Sequence, residues 1–425
     1  MTPITRAEPI AAEEAAVPFD AAKVKACFPI FFDNALTRKL SYLDNAATSQ
    51  KPLSVLQAMD NAVRSYCSPV HRGFYPIAEQ STQRYEQARQ TLTDFISAKT
   101  SASIIFNASA TDGINQIAKG FLLPRLSAGQ NVWVTRMEHH ANYLPWLFVC
   151  DKAGANLRII ELSDNGELDI DGAHGLFADN TAMIALSHTS NVLGTNNDVY
   201  ALCKKAREHD IPILIDAAQA MVTHSLDVES LSCDFLVFSA HKMFGPTGIG
   251  LLYIAPHRLG DVQPLRLGGG MVDFTADTFA QTIWSEPPYC FEAGSPNLAG
   301  AIGFAAACEF VNAIGQHQAK QYISSLALQL YQALLDFDRV KLLTPLKHVS
   351  SGIISFYHDD IHAHDLAHIM GDAGVAVRAG HHCAQPLLAH FNVNSTVRAS
   401  ISVYNTPEDI VALITALRHA QTVFA

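Results

Sequence analysis

From about Tyr42 to Gly300 the chain alternates short apolar runs with amphipathic stretches of helical period. No other feature constrains the fold as strongly. Tyr85, Ala88, Leu92 and Phe95 recur at helical spacing. Ser103 to Phe106 then reads as a strand. The turn from Asn107 to Gly113 leads into a helix with Ile114, Ile117, Ala118 and Phe121 on one face. Further strands are expected at Asn131–Thr135, Leu157–Ile160, Met183–Ser187, Ile211–Ile215, Phe235–Phe238 and Gly250–Ile254, with a helix over Asp198–His209. Parallel strands need long crossovers, and helices supply them, so this pattern predicts an α/β domain with a largely parallel sheet.

The texture changes after Gly300. A long helical stretch is expected from Gly300 through Leu335, then strands near Lys341–Leu343, Gly352–Phe356 and Arg398–Val403. The last helix opens at Thr406-Pro407-Glu408-Asp409, a capping residue followed by Pro at the first position and an acid at the third. Its buried face is Ile410, Leu413, Ile414 and Leu417. This gives a large domain over residues 42–300 and a smaller α+β domain from residues 21–41 and 301–425. Residues 1–20 read as a mobile extension.

A net charge of −11 argues against general nucleic-acid binding. No apolar run is long enough to span a bilayer. The N-terminal stretch is acidic and has no hydrophobic signal core, so export is not expected. The eight cysteines are scattered with no CxxC pair, which suits a reducing compartment, and the cytoplasm is the expected location.

The chemistry gathers at three places. Cys383 follows Arg378, His381 and His382 in a Gly-containing turn, and cationic neighbours favour the reactive thiolate. Alone, it is equally a buried thiol or half a metal site. Asp216 ends one expected strand, and Lys242 follows another in Ser239-Ala240-His241-Lys242. Ligands of open α/β sheets sit at the carboxyl ends of strands. A carboxylate and a lysine in one crevice match a pyridoxal phosphate site, with lysine forming the Schiff base and the carboxylate keeping the pyridine nitrogen protonated. The plain alternative is a helix-capping Asp and a surface Lys. Thr111 opens a helix, where free N–H groups favour a phosphate. Gln219 lies within reach of a ring hydroxyl, and His139 follows a strand and is placed to stack on a ring.

The motifs carrying these residues are YLDNAA at 42–47, VHRG at 70–73, MEHHAN at 137–142, SNVLGT at 190–195, DAAQA at 216–220, SAHKMFGPTGIG at 239–250, FEAGSPN at 291–297, RAGHHCAQP at 378–386 and RASISVYNT at 398–406. In this order the chain resembles the group II, Suf-type cysteine desulfurases and selenocysteine lyases, over about residues 21–425. The resemblance implies the fold type I architecture of pyridoxal phosphate enzymes. It implies that Lys242 carries the cofactor, Asp216 pairs with its pyridinium, and His139 stacks on the ring and assists proton transfer. Gln219 contacts the phenolic oxygen, and Thr111, Ser239 and His241 hold the phosphate. Ser295 reaches the phosphate of a partner subunit, so a homodimer is implied. Asn191 and Arg398 bind the substrate carboxylate, and Cys383 accepts sulfur. The implied reaction converts L-cysteine to L-alanine with a persulfide on Cys383, passed to a Suf-E-type acceptor for iron–sulfur cluster assembly.

Two positions depart from the pattern. Ala110 stands where a hydroxyl is common, and Gly73-Phe74-Tyr75-Pro76 differs beside the expected substrate entrance. The rival readings are a selenocysteine lyase or cysteine sulfinate desulfinase of the same fold, a non-catalytic binding protein that keeps the fold, and a histidine-rich metal-binding protein using His358, His362, His364 and His368. No complete metal-ligand spacing appears, so no metal is assigned.

Overall fold

The computed structural model describes residues 19–32, 40–163 and 165–424. Most of the expected extension over residues 1–20 lies outside these, as do residues 33–39 of the segment assigned to the small domain. In chain order the strands are β1 (Ser41–Tyr42), β2 (Ile104–Asn107), β3 (Asn131–Thr135), β4 (Asn156–Ile160), β5 (Thr181–Ser187), β6 (Ile213–Asp216), β7 (Phe235–Ser239) and β8 (Gly250–Ile254). They continue with β9 (Val272–Phe274), β10 (Ile283–Trp284), β11 (Val340–Leu342), β12 (Ile353–His358), β13 (Val375–Ala376), β14 (Arg378–Gly380) and β15 (Thr396–Ser400).

The main sheet runs β2-β8-β7-β6-β5-β3-β4. The pairings from β7 through β4 are parallel, and β8 is antiparallel to both β7 and β2. Every residue of β6, β7 and β8 is buried, because helices cover both faces. One face packs on the helices Leu53–Tyr66, Pro76–Phe95 and Leu298–Ile314, and the other on the continuous helix from Ala110 to Leu122. Ile114, Ile117, Ala118 and Phe121 all face inward there, although the second half has π geometry.

A four-stranded antiparallel sheet, β11-β12-β15-β14, forms the second layer system. It is backed by helices Gln316–Leu335 and Ala363–Asp372, against which packs helix Pro407–Val423. The last of these carries the expected capping box between Thr406 and Asp409. The long helix expected from Gly300 through Leu335 is instead two, Leu298–Ile314 and Gln316–Leu335, bent by 74° at Gly315. Gly315 has φ +75°, where a side chain is strained, so it caps the first helix and redirects the chain. No single helix among the described residues is long and apolar enough to cross a membrane.

The segment before the main sheet ties the two sheets together. Phe28 packs edge-on against Phe244 beside the main sheet, Phe310 and Tyr404. β1 pairs with β13, and the Leu43 carbonyl accepts from Ser400 N–H at 2.7 Å. The YLDNAA stretch thereby lies against the end of β15.

Candidate active site

The carboxyl edge of the main sheet faces the β14–β15 hairpin, and a cleft opens between them. Ala46, Thr111, His139, Asn191, Asp216, Gln219, Ser239, His241, Lys242, Cys383 and Arg398 line it, with Arg378 and His382. Of the residues expected to bind cofactor or substrate, Ser295 alone lies elsewhere, in a separate cavity with Tyr85, Asp112 and Asn297.

Asp216 is the last residue of β6 and Ser239 the last of β7; a single 3-10 turn over Ala240–Lys242 carries the lysine over the edge. The buried Asp216 carboxylate accepts from the Ala218 N–H at 2.9 Å and has no ion pair among the described residues. Burial raises its pKa, and Lys242 pulls it back. Burial lowers the pKa of Lys242, Asp216 opposes that, and Arg398 and Arg378 reinforce it. An acid and an amine thus share one cleft without closing on each other.

One end of the cleft is built from backbone and hydroxyls. Ser109 caps the helix that starts at Ala110, and the Ala110 N–H donates to Ser239 Oγ at 2.8 Å. The Ser239 hydroxyl hydrogen remains free to donate. A Cβ on Gly250 would meet the Ser109 backbone at 2.7 Å, so glycine is what lets β8 approach this helix start. Thr48 Oγ1 donates to the His241 carbonyl at 3.2 Å and stands 3.2 Å from His241 Nδ1. Burial, Lys242 and Lys51 lower the His241 pKa to about 4. Gln219 Nε2 donates to the Ala46 carbonyl at 2.9 Å, which fixes its amide across the cleft floor.

His139 stands above them. Its Nδ1 accepts from the Ala141 N–H at 3.0 Å, so the neutral ring carries its proton on Nε2. Burial and the charge of Lys242 lower its pKa to about 3. Its neighbour Glu138 went unremarked in the sequence. The fully buried Glu138 carboxylate accepts from Thr135 Oγ1 (2.6 Å), Asn142 Nδ2 (2.7 Å), Ser187 N–H (2.9 Å) and Ser187 Oγ (2.5 Å). It pins the His139 turn to the ends of β3 and β5. A glutamate three residues past a strand end, with Thr at −3 and Asn at +4, was the available signal.

The small sheet brings in the remaining groups. Arg398 is 2% exposed; its Nη1 donates to the Asn191 carbonyl (2.9 Å) and its Nη2 to Asp44 Oδ1 (3.3 Å). Its Nε is buried with no partner. Burial brings its pKa down to about 10, with Asp44 opposing. Arg378 stands opposite it across the β14–β15 pair. Asn191 Nδ2 donates to the His382 carbonyl at 2.8 Å, and the His140 N–H donates to the Cys383 carbonyl at 2.7 Å. His382 Nε2 stands 3.2 Å from the Thr396 carbonyl, so it carries the proton. His382 and Cys383 both have positive φ (51° and 55°), a conformation that these surrounding bonds hold in place. Cys383 is therefore on a short clamped turn, partly exposed and free of any disulfide.

The histidines weighed as metal ligands do other work. His362 caps the helix Ala363–Asp372, and His358 Nδ1 accepts from Asp360 and Ile361 N–H groups. Among the described residues no group of three His, Cys, Asp or Glu side chains is placed to hold a metal ion.

These residues fit pyridoxal phosphate. The unpaired Asp216 carboxylate and Lys242 amine leave room for a ring between them, and the free Ser239 hydroxyl and adjoining helix start suit its phosphate. The Arg398 guanidinium, which lines the cleft, suits a carboxylate.

Comparison with known proteins agrees with this geometry. The class-V aminotransferase family model matches residues 41–413. A cysteine desulfurase of Shigella flexneri is 39% identical over 401 residues, covering 94% of this chain and 98% of that protein. One from Escherichia coli is 39% identical over 403 residues, with the same coverage. The crystal structure of the E. coli cysteine desulfurase CsdA superposes with a TM-score of 0.87 at 34% identity, covering 95% of this chain and 99% of that one. The apo cysteine desulfurase of Thermococcus onnurineus gives 0.88 at 33%, covering 97% and 100%. The chain belongs to the class-V aminotransferases, a pyridoxal-phosphate-dependent family, and within them to the cysteine desulfurases.

Proposed function

We propose that this enzyme converts L-cysteine to L-alanine and leaves the sulfur as a persulfide on Cys383. The observation that carries this reading is the convergence of Lys242, Asp216, His139, Arg398 and Cys383 on one cleft. When bound, pyridoxal phosphate supplies an electron sink for the pairs left by breaking the substrate's C–H and C–S bonds. Lys242 would hold it covalently, Asp216 would keep its ring nitrogen protonated, and His139 would cover its face. Gln219 would meet the phenolic oxygen, and Thr111, Ser239 and His241 the phosphate.

Arg398 orients the substrate through its α-carboxylate, with the second Asn191 amide hydrogen alongside. The Lys242 amine, whose charged form burial disfavours, removes the α-proton. The Cys383 thiolate then attacks the substrate sulfur. The S–S bond forms as the Cβ–S bond breaks and the electron pair stays with carbon; one proton, matching the one lost by the Cys383 thiol, goes to Cβ, and the abstracted proton returns to Cα, giving L-alanine. His139 Nε2–H is the neutral donor positioned at this end of the cleft.

The clamped turn keeps Cys383 from travelling, so an acceptor thiol has to come to it; a Suf-E-type protein supplying iron–sulfur cluster assembly fits that requirement. A homodimer is supported by exposed Phe74, Leu267, Phe274, Phe279 and Ile283, and by Ser295 lying outside its own cleft. We place the enzyme in the cytoplasm. Incubation with L-cysteine should yield L-alanine and a 32-dalton gain (one sulfur, by mass) on the Cys383 peptide of roughly ~1 equivalent before any acceptor is added. Alanine without that gain would sink the assignment of Cys383.

A further inference from the structure

Arg398 is almost fully buried, yet only part of its guanidinium is satisfied. The Asn191 carbonyl takes a hydrogen from Nη1 and Asp44 takes one from Nη2, while Nε has no partner. Asp44 is the anion that reaches this guanidinium among the described residues. Among the other groups near it are the like charges of Arg378, directly across the β14–β15 pair, and of Lys242, together with the Cys383 side chain. Asp44 does not line the cleft; it stands behind Arg398, in the YLDNAA stretch.

The backbone of Asp44 has little freedom. Asp44 forms a parallel bridge with Ser400, two residues beyond Arg398 on the same strand. The Ser400 N–H donates to the Leu43 carbonyl at 2.7 Å, and Asn45 Nδ2 donates to the Ser400 carbonyl at 2.6 Å. The carboxylate and the arginine it holds are thus set from adjoining points of one strand pairing. A guanidinium fork meets a carboxylate well only when its plane is fixed. Without Asp44 one anchor of that plane would be the neutral Asn191 carbonyl alone, and Arg378 would push from the other side.

We propose that Asp44 is a positioning residue for the substrate carboxylate: it holds Arg398 by its Nη2 edge and so fixes the plane of the guanidinium that lines the cleft. The inference rests on the reading of Arg398 as the carboxylate ligand. Its consequence is selective. Groups of the substrate other than the carboxylate should not notice the loss of Asp44.

The test compares L-alanine with L-alaninamide, which differ only in the carboxylate, binding to protein loaded with pyridoxal phosphate. Dissociation constants are read from the change in visible absorbance, without turnover. Asp44→Ala should weaken L-alanine about tenfold, the scale of one charged hydrogen bond, and leave L-alaninamide unchanged. Asp44→Asn, which keeps a neutral acceptor in place, should recover part of the loss. Unchanged L-alanine binding in Asp44→Ala overturns the proposal, as does tighter binding, which would mean that Asp44 competes with substrate. Equal weakening of both ligands overturns it too, since that is the mark of general disruption. Arg398→Ala separates the two readings. If it abolishes the preference for L-alanine while Asp44→Ala does not, only the role of Asp44 fails. If Arg398→Ala leaves the preference intact, the carboxylate assignment itself fails.

Discussion

Five histidines of this fold are held neutral in or near the cleft, and that makes the enzyme sensitive to mild acid. Burial lowers the pKa of His139, His224 and His382 to about 3 and of His188 and His241 to about 4, with nearby cations adding to the effect in each. In the unfolded chain each titrates near ~6.5. The folded-state values are depressed, so the unfolded chain binds more protons below pH ~6.5 and stability is lost as pH falls through that region. Between pH ~7.5 and ~5.5 each histidine costs about 1.3 kcal/mol, roughly 6–7 kcal/mol for the set. Glu138 works in the opposite sense. Burial raises its pKa to about 7, so its folded form gains a proton over the same interval and returns about 2 kcal/mol. Allowing for the partial exposure of three of the histidines, the net loss is about 3–5 kcal/mol. For a chain of this length that lowers the unfolding midpoint by roughly 3–6 °C. Scanning calorimetry at constant ionic strength, at those two pH values and one between, measures it. A midpoint that is level or rises on acidification would refute the claim that these imidazoles are neutral in the folded state.

Other outcomes follow from single residues. Cys383→Ala should keep the cofactor's visible absorbance and lose at least ~100-fold in alanine formation from L-cysteine; retained cysteine turnover in a peptide-verified mutant would remove the thiol from the reaction, and turnover of L-selenocysteine alone would point to a lyase. Lys242→Ala should lack the protein-linked cofactor absorbance, checked by borohydride reduction and mass analysis of the 242 peptide in wild type. Glu138→Gln leaves an amide facing donors that need an acceptor, so it should lower stability by about 2–3 kcal/mol in denaturant titration and slow turnover by loosening the His139 turn; an unchanged midpoint would show that its four hydrogen bonds carry little.

The sheet was legible because its central strands are buried on both faces and therefore read as unbroken apolar runs bounded by turns. Asn131–Thr135 and Gly250–Ile254 fall where the sequence places them. The sense of β8 was not legible: an apolar run carries no direction, and only the short connection from β7 hints that it turns back. The break at Gly315 was missed because apolar spacing continues on both sides of it, and one glycine is a weak interruption. In the site, Lys242, Asp216 and Cys383 showed themselves through chemistry that few residue types perform. Asp44 did not, since its work is to hold another side chain and a contact between residues 354 positions apart leaves no local mark; Glu138 left only the faint one of Thr135 and Asn142 at helical spacing. Asn191 was noticed for its amide, yet its carbonyl, which grips Arg398, is chemically the same as any other backbone carbonyl.

That last residue has a consequence for size selection. Asn191 grips Arg398 with its main chain and the His382 carbonyl with its side chain, so one residue ties the proposed carboxylate ligand to the turn of the proposed sulfur acceptor. The cleft therefore works as a caliper whose two jaws share a pivot. An amino acid is accepted by the span from its carboxylate to its sulfur as much as by the groups themselves. Homocysteine, longer by one methylene, should occupy the jaws and inhibit, yet deliver no sulfur to Cys383; a persulfide formed from it at a rate near that of cysteine would show that the jaws move independently.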